Sequence, residues 1–359
     1  MRITFICLEW PHEGHVGGVG RYAFRLATYL ATAPGIELTV ITFQGGTPLE
    51  AATMLYISRP RHRVGRFYGA PLRVRKVVKD SRPDVVHSFG DDWAIAAHTG
   101  VPHVRTFHGS ALAEARSSTG LRRLNHYVLA MTEQLSALRA DHKIGVGPES
   151  VTTFSCDDLM PPITQVWPSK SVSKSDEPSV VFVGSYDGRK RGYLVAKAVA
   201  SASTQVGRPV SLTVIGPASD KASWPGTTRH VAGASDETVK QIIQSSWALM
   251  APSLYEGFGI PAFEALSLGT PVIASSNPGS EYMLSLTEPA GSLQIHSDDD
   301  LADALTARLS GGPSIEDPEE AGRRIAVERL TILASPSRLI DDVYPLAQRL
   351  ATNGDPRGA

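Results

Sequence analysis

Short apolar runs alternate with segments of helical period along this chain, and the series begins twice. Ile3–Leu8, Leu38–Thr42, Val85–Ser88 and His103–Phe107 read as strands covered on both faces, because such strands are near-continuously apolar. Between the first two, Arg21–Ala31 carries Ala23, Leu26, Ala27 and Leu30 at helical spacing. The second series restarts at Val180–Gly184 and continues through S-L-T-V-I-G, W-A-L-M-A-P and P-V-I-A-S. Strand and helix in alternation is the pattern of parallel α/β sheets. Pro161–Pro178, rich in Pro, Ser and Lys and without apolar period, reads as an interdomain linker. The expected organisation is one α/β domain over residues 1–160, a linker over 161–178, a second α/β domain over 179–336, and a final segment, 337–359, whose helix runs roughly from Ser337 to Leu350. A chain of 359 residues is comfortable for two cores.

Composition removes several function classes. Lys and Arg number 35 against 36 Asp and Glu, so no global charge excess points to nucleic acid. Cys7 and Cys156 are too few for a disulfide framework. The chain enters the strand R-I-T-F-I-C-L without the apolar core and cleavage site of a signal peptide, and no apolar run approaches membrane-spanning length. A cytoplasmic protein is expected.

The richest local stretch is S-L-Y-E-G-F-G-I-P-A-F-E-A-L-S-L-G-T-P-V-I-A. It reads as a strand from Trp247 to Pro252, a glycine-punctuated loop, a helix opened by Pro261 and closed near Gly269, and another strand. Glu256 then lies on the loop and Glu264 about one turn into the helix. Two carboxylates flank a helix N-terminus that attracts an anion. That arrangement suits a phosphodiester with a polyol on each side, a nucleotide sugar. Two solvated glutamates would satisfy the E-x₇-E spacing alone, but not the G-F-G-I-P context.

This stretch resembles the signature of the retaining family-4 glycosyltransferases, a superfamily that includes glycogen-synthase-like and phosphatidylinositol-mannosyltransferase-like enzymes. The resemblance implies a GT-B fold, two Rossmann-like parallel-sheet domains facing across a cleft, with the last helix crossing back to the first domain. It implies a nucleotide-diphosphate sugar as co-substrate, no metal, and transfer of a hexose-type sugar to a hydroxyl acceptor by front-face attack, the leaving phosphate acting as base. On the matching positions it implies that Glu256 contacts the transferred sugar and Glu264 the ribose hydroxyls. Gly257, Phe258, Gly259 and Ile260 bring backbone close to the donor.

Other motifs fit the same family. H-V-G-G-V-G-R-Y-A matches its N-terminal glycine loop, making Gly17 and Gly18 candidate donor-phosphate contacts. Gly18, Gly20 and Ala23 also fit the G-x-G-x-x-G/A dinucleotide fingerprint, so an NAD-dependent or sugar-nucleotide epimerase enzyme of doubly wound fold is a rival reading. The long loop Trp10–Val16 and the acid-free T-F-Q-G-G after the second strand weaken it. A non-catalytic nucleotide-sugar-binding protein is a third reading. His108, in the H-G pair after a strand, is the candidate active-site imidazole, while His87 is structural or acceptor-side. In V-F-V-G-S-Y-D-G-R-K-R-G the family's first arginine is replaced by Ser185. Lys190 and Arg191 each fit one register of its lysine as diphosphate counter-charge, and Arg189 is able to supply the missing charge. G-P-E at Gly147–Glu149, Pro161–Ile163, and N-P-G-S-E around Gly279 and Glu281 also depart from the family pattern. Asp298–Asp300 contain a D-x-D, but Ser297 and these aspartates open a helix and read as its cap rather than as metal ligands. Finally, Arg59, Arg61, Arg63, Arg66, Arg73, Arg75, Lys76 and Lys79 concentrate positive charge. They form either a solvated face or a contact for an anionic or lipid-linked acceptor and the inner membrane face. Base, sugar and acceptor stay open.

Overall fold

The computed structural model describes residues 1–12, 17–62, 64–95, 100–116, 120–162, 173–287, 292–313 and 334–352. Most of the expected linker, residues 163–172, lies outside them, as do Arg63, 288–291 and 314–333 of the expected second domain, and 353–359. The chain divides into two compact units, Met1–Thr164 together with Leu333–Ala359, and Gln165–Ile332.

In the first unit the elements run β1 (Arg2–Ile6), α1 (Gly18–Ala31), β2 (Glu37–Phe43), β3 (Thr53–Ile57), α2 (Ala70–Ser81), β4 (Val85–Ser88), β5 (His103–Phe107), α3 (Ala111–Arg116), α4 (Gly120–Arg139), β6 (His142–Gly145), α5 (Pro148–Phe154) and β7 (Asp158–Leu159). The strands pair in parallel in the order β3-β2-β1-β4-β5-β6-β7. The order reverses between β1 and β4, and ligands of such sheets bind beyond the strand C-termini at that reversal. α1 buries Tyr22, Ala23, Leu26, Ala27 and Leu30 on one face of the sheet, against Ile3, Phe5, Val40 and Val104. α2 buries Val74 and Val78 on the other, against Ile6, Ile41 and Val86.

The second unit repeats the plan. Its elements are β8 (Ser179–Val183), α6 (Gly192–Val206), β9 (Ser211–Ile215), β10 (Arg229–Val231), α7 (Asp236–Ser245), β11 (Ala248–Ala251), α8 (Ile260–Ser267), β12 (Val272–Ser275), α9 (Pro278–Thr287), β13 (Leu293–Ile295) and α10 (Leu301–Ser310). The order is β10-β9-β8-β11-β12-β13, again all parallel, with the reversal between β8 and β11.

The chain then returns to the first unit through a π-helical turn, Leu339–Val343, and α11 (Tyr344–Thr352). Leu339, Val343, Tyr344 and Ala347 are buried in the same core as α1 and β1. Arg338 pairs with Asp158 at 3.0 Å, and that carboxylate also meets His142 at 2.9 Å.

Candidate active site

The loop between β11 and α8 lies at the reversal point of the second sheet. Gly259 caps α8 in the left-handed region, φ 93°, where a side chain is strained. Pro261 sits in the first turn, which loses nothing by its missing N–H. The loop folds Glu256 inward, and its carboxylate accepts from Ser253 Oγ at 2.6 Å, Arg189 at 3.0 Å and Lys190 Nζ at 2.5 Å. Burial pushes this carboxyl up, but Lys190 and then Arg189 outweigh burial and hold it at about 2. Glu256 is therefore ionised at neutral pH.

The backbone of Glu256 is fixed from behind. A Cβ on Gly279 would stand 2.2 Å from the Glu256 carbonyl oxygen, so only glycine lets α9 approach this closely. Asn277 and Ser280 cap α9 reciprocally at 3.1 Å each, and the Asn277 amide also donates to Ser253 O at 3.2 Å. Glu264 is buried one turn into α8. Phe258 is buried too, its ring against Phe263 and Tyr282, which leaves its main chain as the part free to meet a ligand.

The basic triplet splits in two. Arg189 and Lys190 converge on Glu256, and Arg189 also donates to Tyr255 O at 2.8 Å. Arg191 takes a left-handed backbone, φ 54°, ahead of α6, and its guanidinium is turned away. It donates to Pro252 O at 2.6 Å, Asp298 at 2.6 Å and Ser275 Oγ at 3.1 Å. It straps together the ends of β11 and β12 and the turn before α10. Ser185 closes its own turn by donating to Asp187 O at 2.8 Å. Ser297 Oγ accepts from Asp299 N at 3.3 Å, so this serine caps the turn that opens α10. Among the described residues no group of three His, Cys, Asp or Glu is placed to hold a metal ion.

In the first unit, Gly17 caps α1 with extended backbone and Gly18 opens the helix. Gly20 is a packing glycine, since a Cβ there would stand 2.0 Å from Glu9 O. His108 follows β5, its ring edge-on to Tyr22 at 5.1 Å. Its Nε2 is buried without a hydrogen-bond partner among the described residues. Burial, with Arg105 assisting, pushes this imidazole down to about 3, so it is neutral. His87 differs: Nδ1 meets Tyr344 OH at 2.9 Å and Nε2 meets Thr106 Oγ1 at 2.8 Å, so it is a structural residue joining α11 to the sheet. Asp91, which the sequence motifs do not single out, stands at the end of β4 with left-handed backbone, φ 58°. Burial first, then Glu9, pushes its carboxyl up to about 7. The G-D-D that follows V-V-H-S-F was the available signal.

The chain matches two family models, one in each unit. Residues 16–159 match Glycosyltransferase Family 4, and residues 164–325 match Glycosyl transferases group 1. The chain is a family-4-like glycosyltransferase. Among curated proteins it is similar to the O-antigen chain mannosyltransferase B of Escherichia coli, 28% identical over 159 residues, 42% of this chain and 39% of that one. A second relative is the MMP alpha-(1->4)-mannosyltransferase of Mycolicibacterium hassiacum, 35% identical over 98 residues, 27% of this chain and 24% of that one. The matched segments thus span well under half the length of either relative. Solved structures fix the fold of this glycosyltransferase as GT-B. Sucrose-phosphate synthase from Thermosynechococcus elongatus superposes with a TM-score of 0.72 at 19% identity, covering 98% of this chain and 99% of that one. A glycosyltransferase involved in lipopolysaccharide biosynthesis gives 0.68 at 18% over the same shares. An Anabaena protein in complex with UDP and glucose gives 0.60 at 15%, again over 98% and 99%. The NAD-dependent and epimerase readings are not favoured by these matches.

Proposed function

We propose that this protein moves a hexose, with retention at the anomeric carbon, from a nucleotide-diphosphate sugar to a hydroxyl acceptor. The convergence of Arg189 and Lys190 on ionised Glu256 at the start of α8 carries the reading. A diphosphate beside those two cations finds its developing charge stabilised as the bond to the anomeric carbon breaks. Arg189 takes the place of the arginine that Ser185 lacks, and the counter-charge falls to Lys190 rather than to the strapped Arg191. Glu264 accepts from the ribose diol, and the amides of Gly257–Ile260 line the donor. Gly17 and Gly18 contribute amides to its phosphates, and the unpartnered His108 Nε2 meets a hydroxyl of the transferred sugar. The acceptor oxygen attacks on the face the phosphate leaves, and its proton passes to the departing phosphate oxygen. The side chains position and stabilise.

Metal independence belongs to this reading, supported by Asp298 being engaged with Arg191. A cytoplasmic protein fits the described helices, none of which is long and apolar enough to cross a membrane. The exposed basic residues Arg59, Arg61, Arg73, Lys76 and Lys79, with half-buried Arg66 and Arg75, offer an electrostatic contact for an anionic or lipid-linked acceptor. Mannose is the first sugar to test, because both curated relatives are named mannosyltransferases.

The test is a thermal-shift panel of nucleoside diphosphates, since a ligand of the native state raises stability by RT ln(1 + [L]/Kd). Hydrolysis and transfer from the matching mannose and glucose donors follow. Stabilisation by one base together with donor turnover is the expected result. Binding without any turnover would make the chain a nucleotide-sugar-binding module, and no stabilisation by any base would remove the donor site.

A further inference from the structure

His108 sits between two anchors of different kinds. On its near side β5 is fixed by packing. Phe107 is buried, stacked on Phe154 at 3.9 Å and packed against Ala137 of α4, and its carbonyl accepts from Val146 N at 3.1 Å. On its far side comes Gly109 at φ 152°, a backbone that glycine takes more readily than any other residue. Beyond that glycine the chain is held from α4. Glu133 reaches across and accepts from the Ala111 amide, three residues past His108, at 2.8 Å. Ser110 Oγ accepts from Ala113 N at 3.0 Å and closes the first turn of α3 from within.

The same face of α4 grips the neighbouring strand end. One turn on from Glu133, Ser136 Oγ donates to Asp92 at 2.7 Å, in the loop that leaves β4. Asp92 also accepts from Ser88 Oγ at 2.6 Å and faces His103 at 3.2 Å and Arg105 at 3.4 Å, so donors surround it. Glu133 is sparsely partnered by comparison. The charged groups around it are Arg105 of β5, Glu114 of α3 and Asp92. Burial pushes its carboxyl up to about 7, opposed by the Ala111 amide and then Arg105, with Glu114 and Asp92 adding to the push. The charge on this anchor therefore changes near neutral pH, whereas His108 titrates at about 3 and Glu256 at about 2.

We infer that Glu133 is a positioning residue for transfer: from α4 it anchors the far end of the loop between β5 and α3 and thereby holds the His108 imidazole at the transferred sugar. This rests on His108 being the sugar contact proposed above, and adds the group that sets its place. A carboxylate accepts from an amide more strongly than its protonated form does, so the anchor weakens as pH falls through about 7.

Two measurements on the full chain test it. Glu133→Ala should lower kcat about tenfold or more well above pH 7, because a displaced active-site group costs rate, while nucleoside diphosphate affinity stays at the parent's value. Glu133→Gln keeps an oxygen for the Ala111 amide but cannot ionise. It should recover most of kcat and lose the fall in kcat that the parent shows as pH drops below neutral. The second measurement needs no donor. With isotopically labelled histidine, the His108 ring signal, assigned by its loss in His108→Gln, should move through about pH 7 in the parent although the ring stays neutral, and stand still in Glu133→Gln. A kcat unchanged by Glu133→Ala, whatever the change in stability, would make Glu133 a structural tie between α3 and α4 and overturn the inference. So would a kcat profile or ring signal that still titrates near neutral pH in Glu133→Gln, which would pass that titration to Asp91. A chain that turns over no donor defeats the proposed function instead, and the ring signal then decides whether Glu133 holds the loop.

Discussion

The strand ends at the second sheet's reversal point are ionic, whereas the histidine ends of β4 and β5 in the first sheet are neutral and aromatic. Around Glu256, two cations and a hydroxyl converge on one carboxylate, and burial makes each contact count for more than it would in water. Around His108, burial has removed charge instead, leaving an uncharged imidazole with one open nitrogen against aromatic rings. In the first unit a satisfied histidine stands beside one with an open nitrogen, and in the second an arginine tied into the fold stands beside two cations tied to Glu256. His87 is bonded at both nitrogens while His108 is not, and Arg191 is bound to three partners that are not Glu256. What separates a structural residue from a candidate site residue here is, for the histidines, whether both ring nitrogens are already bonded and, for the basic triplet, whether the partner is the Glu256 carboxylate.

The sharpest way to break that contrast is Glu256→Gln. It should lower kcat by about 10²–10³-fold. Arg189 and Lys190 would lose their internal counter-ion, so nucleoside diphosphate should bind more tightly, as titration calorimetry would read. An unchanged rate would take the ionic region out of catalysis. Next in size is the Lys190 and Arg191 pair. Lys190→Met should weaken donor binding by about 10–100-fold, the loss of one charge-assisted contact of roughly 1.5–3 kcal/mol, and cost less stability than Arg191→Met, because Arg189 and Ser253 remain on Glu256. Arg191→Met should do the reverse and cost about 2–4 kcal/mol of stability, because it orphans Pro252 O and Ser275 Oγ. Equal effects of the two variants on donor affinity would end the distinction.

Glu264→Gln should weaken donor binding by tens-fold, again by removing a charge-assisted contact of roughly 1.5–3 kcal/mol. The histidines give a smaller and pH-dependent effect. His108 titrates at about 3 in the folded chain against an ordinary 6.5, so the unfolded chain binds its proton first. Stability should fall as pH drops from about 6.5 towards 3, and His108→Gln should flatten that slope in denaturant titrations while lowering kcat. His87→Leu should leave kcat in place and cost about 1–3 kcal/mol by orphaning Tyr344 OH and Thr106 Oγ1. The smallest expected effect is that of excess EDTA, which should leave transfer unaltered, and loss of activity restored by manganese would contradict it.

The strand cores were legible because a strand covered on both faces has little choice of composition. Val85–Ser88 and His103–Phe107 are found at the bounds their sequence implies, while the first strand ends at Ile6 because Cys7 and Leu8 already turn toward Glu9. The helix beginning at Ile260 was legible from proline and glycine, whose backbone limits are local. The edge strands β3, β7, β10 and β13 were not singled out, being short or half-exposed and so weakly patterned. Neither was the division of labour in R-K-R, which depends on a left-handed arginine that no local rule demands. Asp91 was missed for the same reason, as the charges that act on its carboxyl, Glu9 and Arg66, are distant in sequence. The exposure of Leu121, Leu124, Met131 and Leu138 on α4 was hidden because apolar periodicity reports an amphipathic face without saying which side of the helix the fold covers.

The seating of α11 against β1 and α1 sets an order of events during synthesis. A ribosome that has completed all seven strands of the first sheet has still not supplied Leu339, Val343, Tyr344 and Ala347, which fill one side of its core. The second unit is contiguous in sequence and its whole sheet emerges before those residues do. The half of the molecule translated first is thus the half that finishes folding last, and until then the His87 imidazole and the apolar bed around Phe5 face water and chaperones rather than a helix.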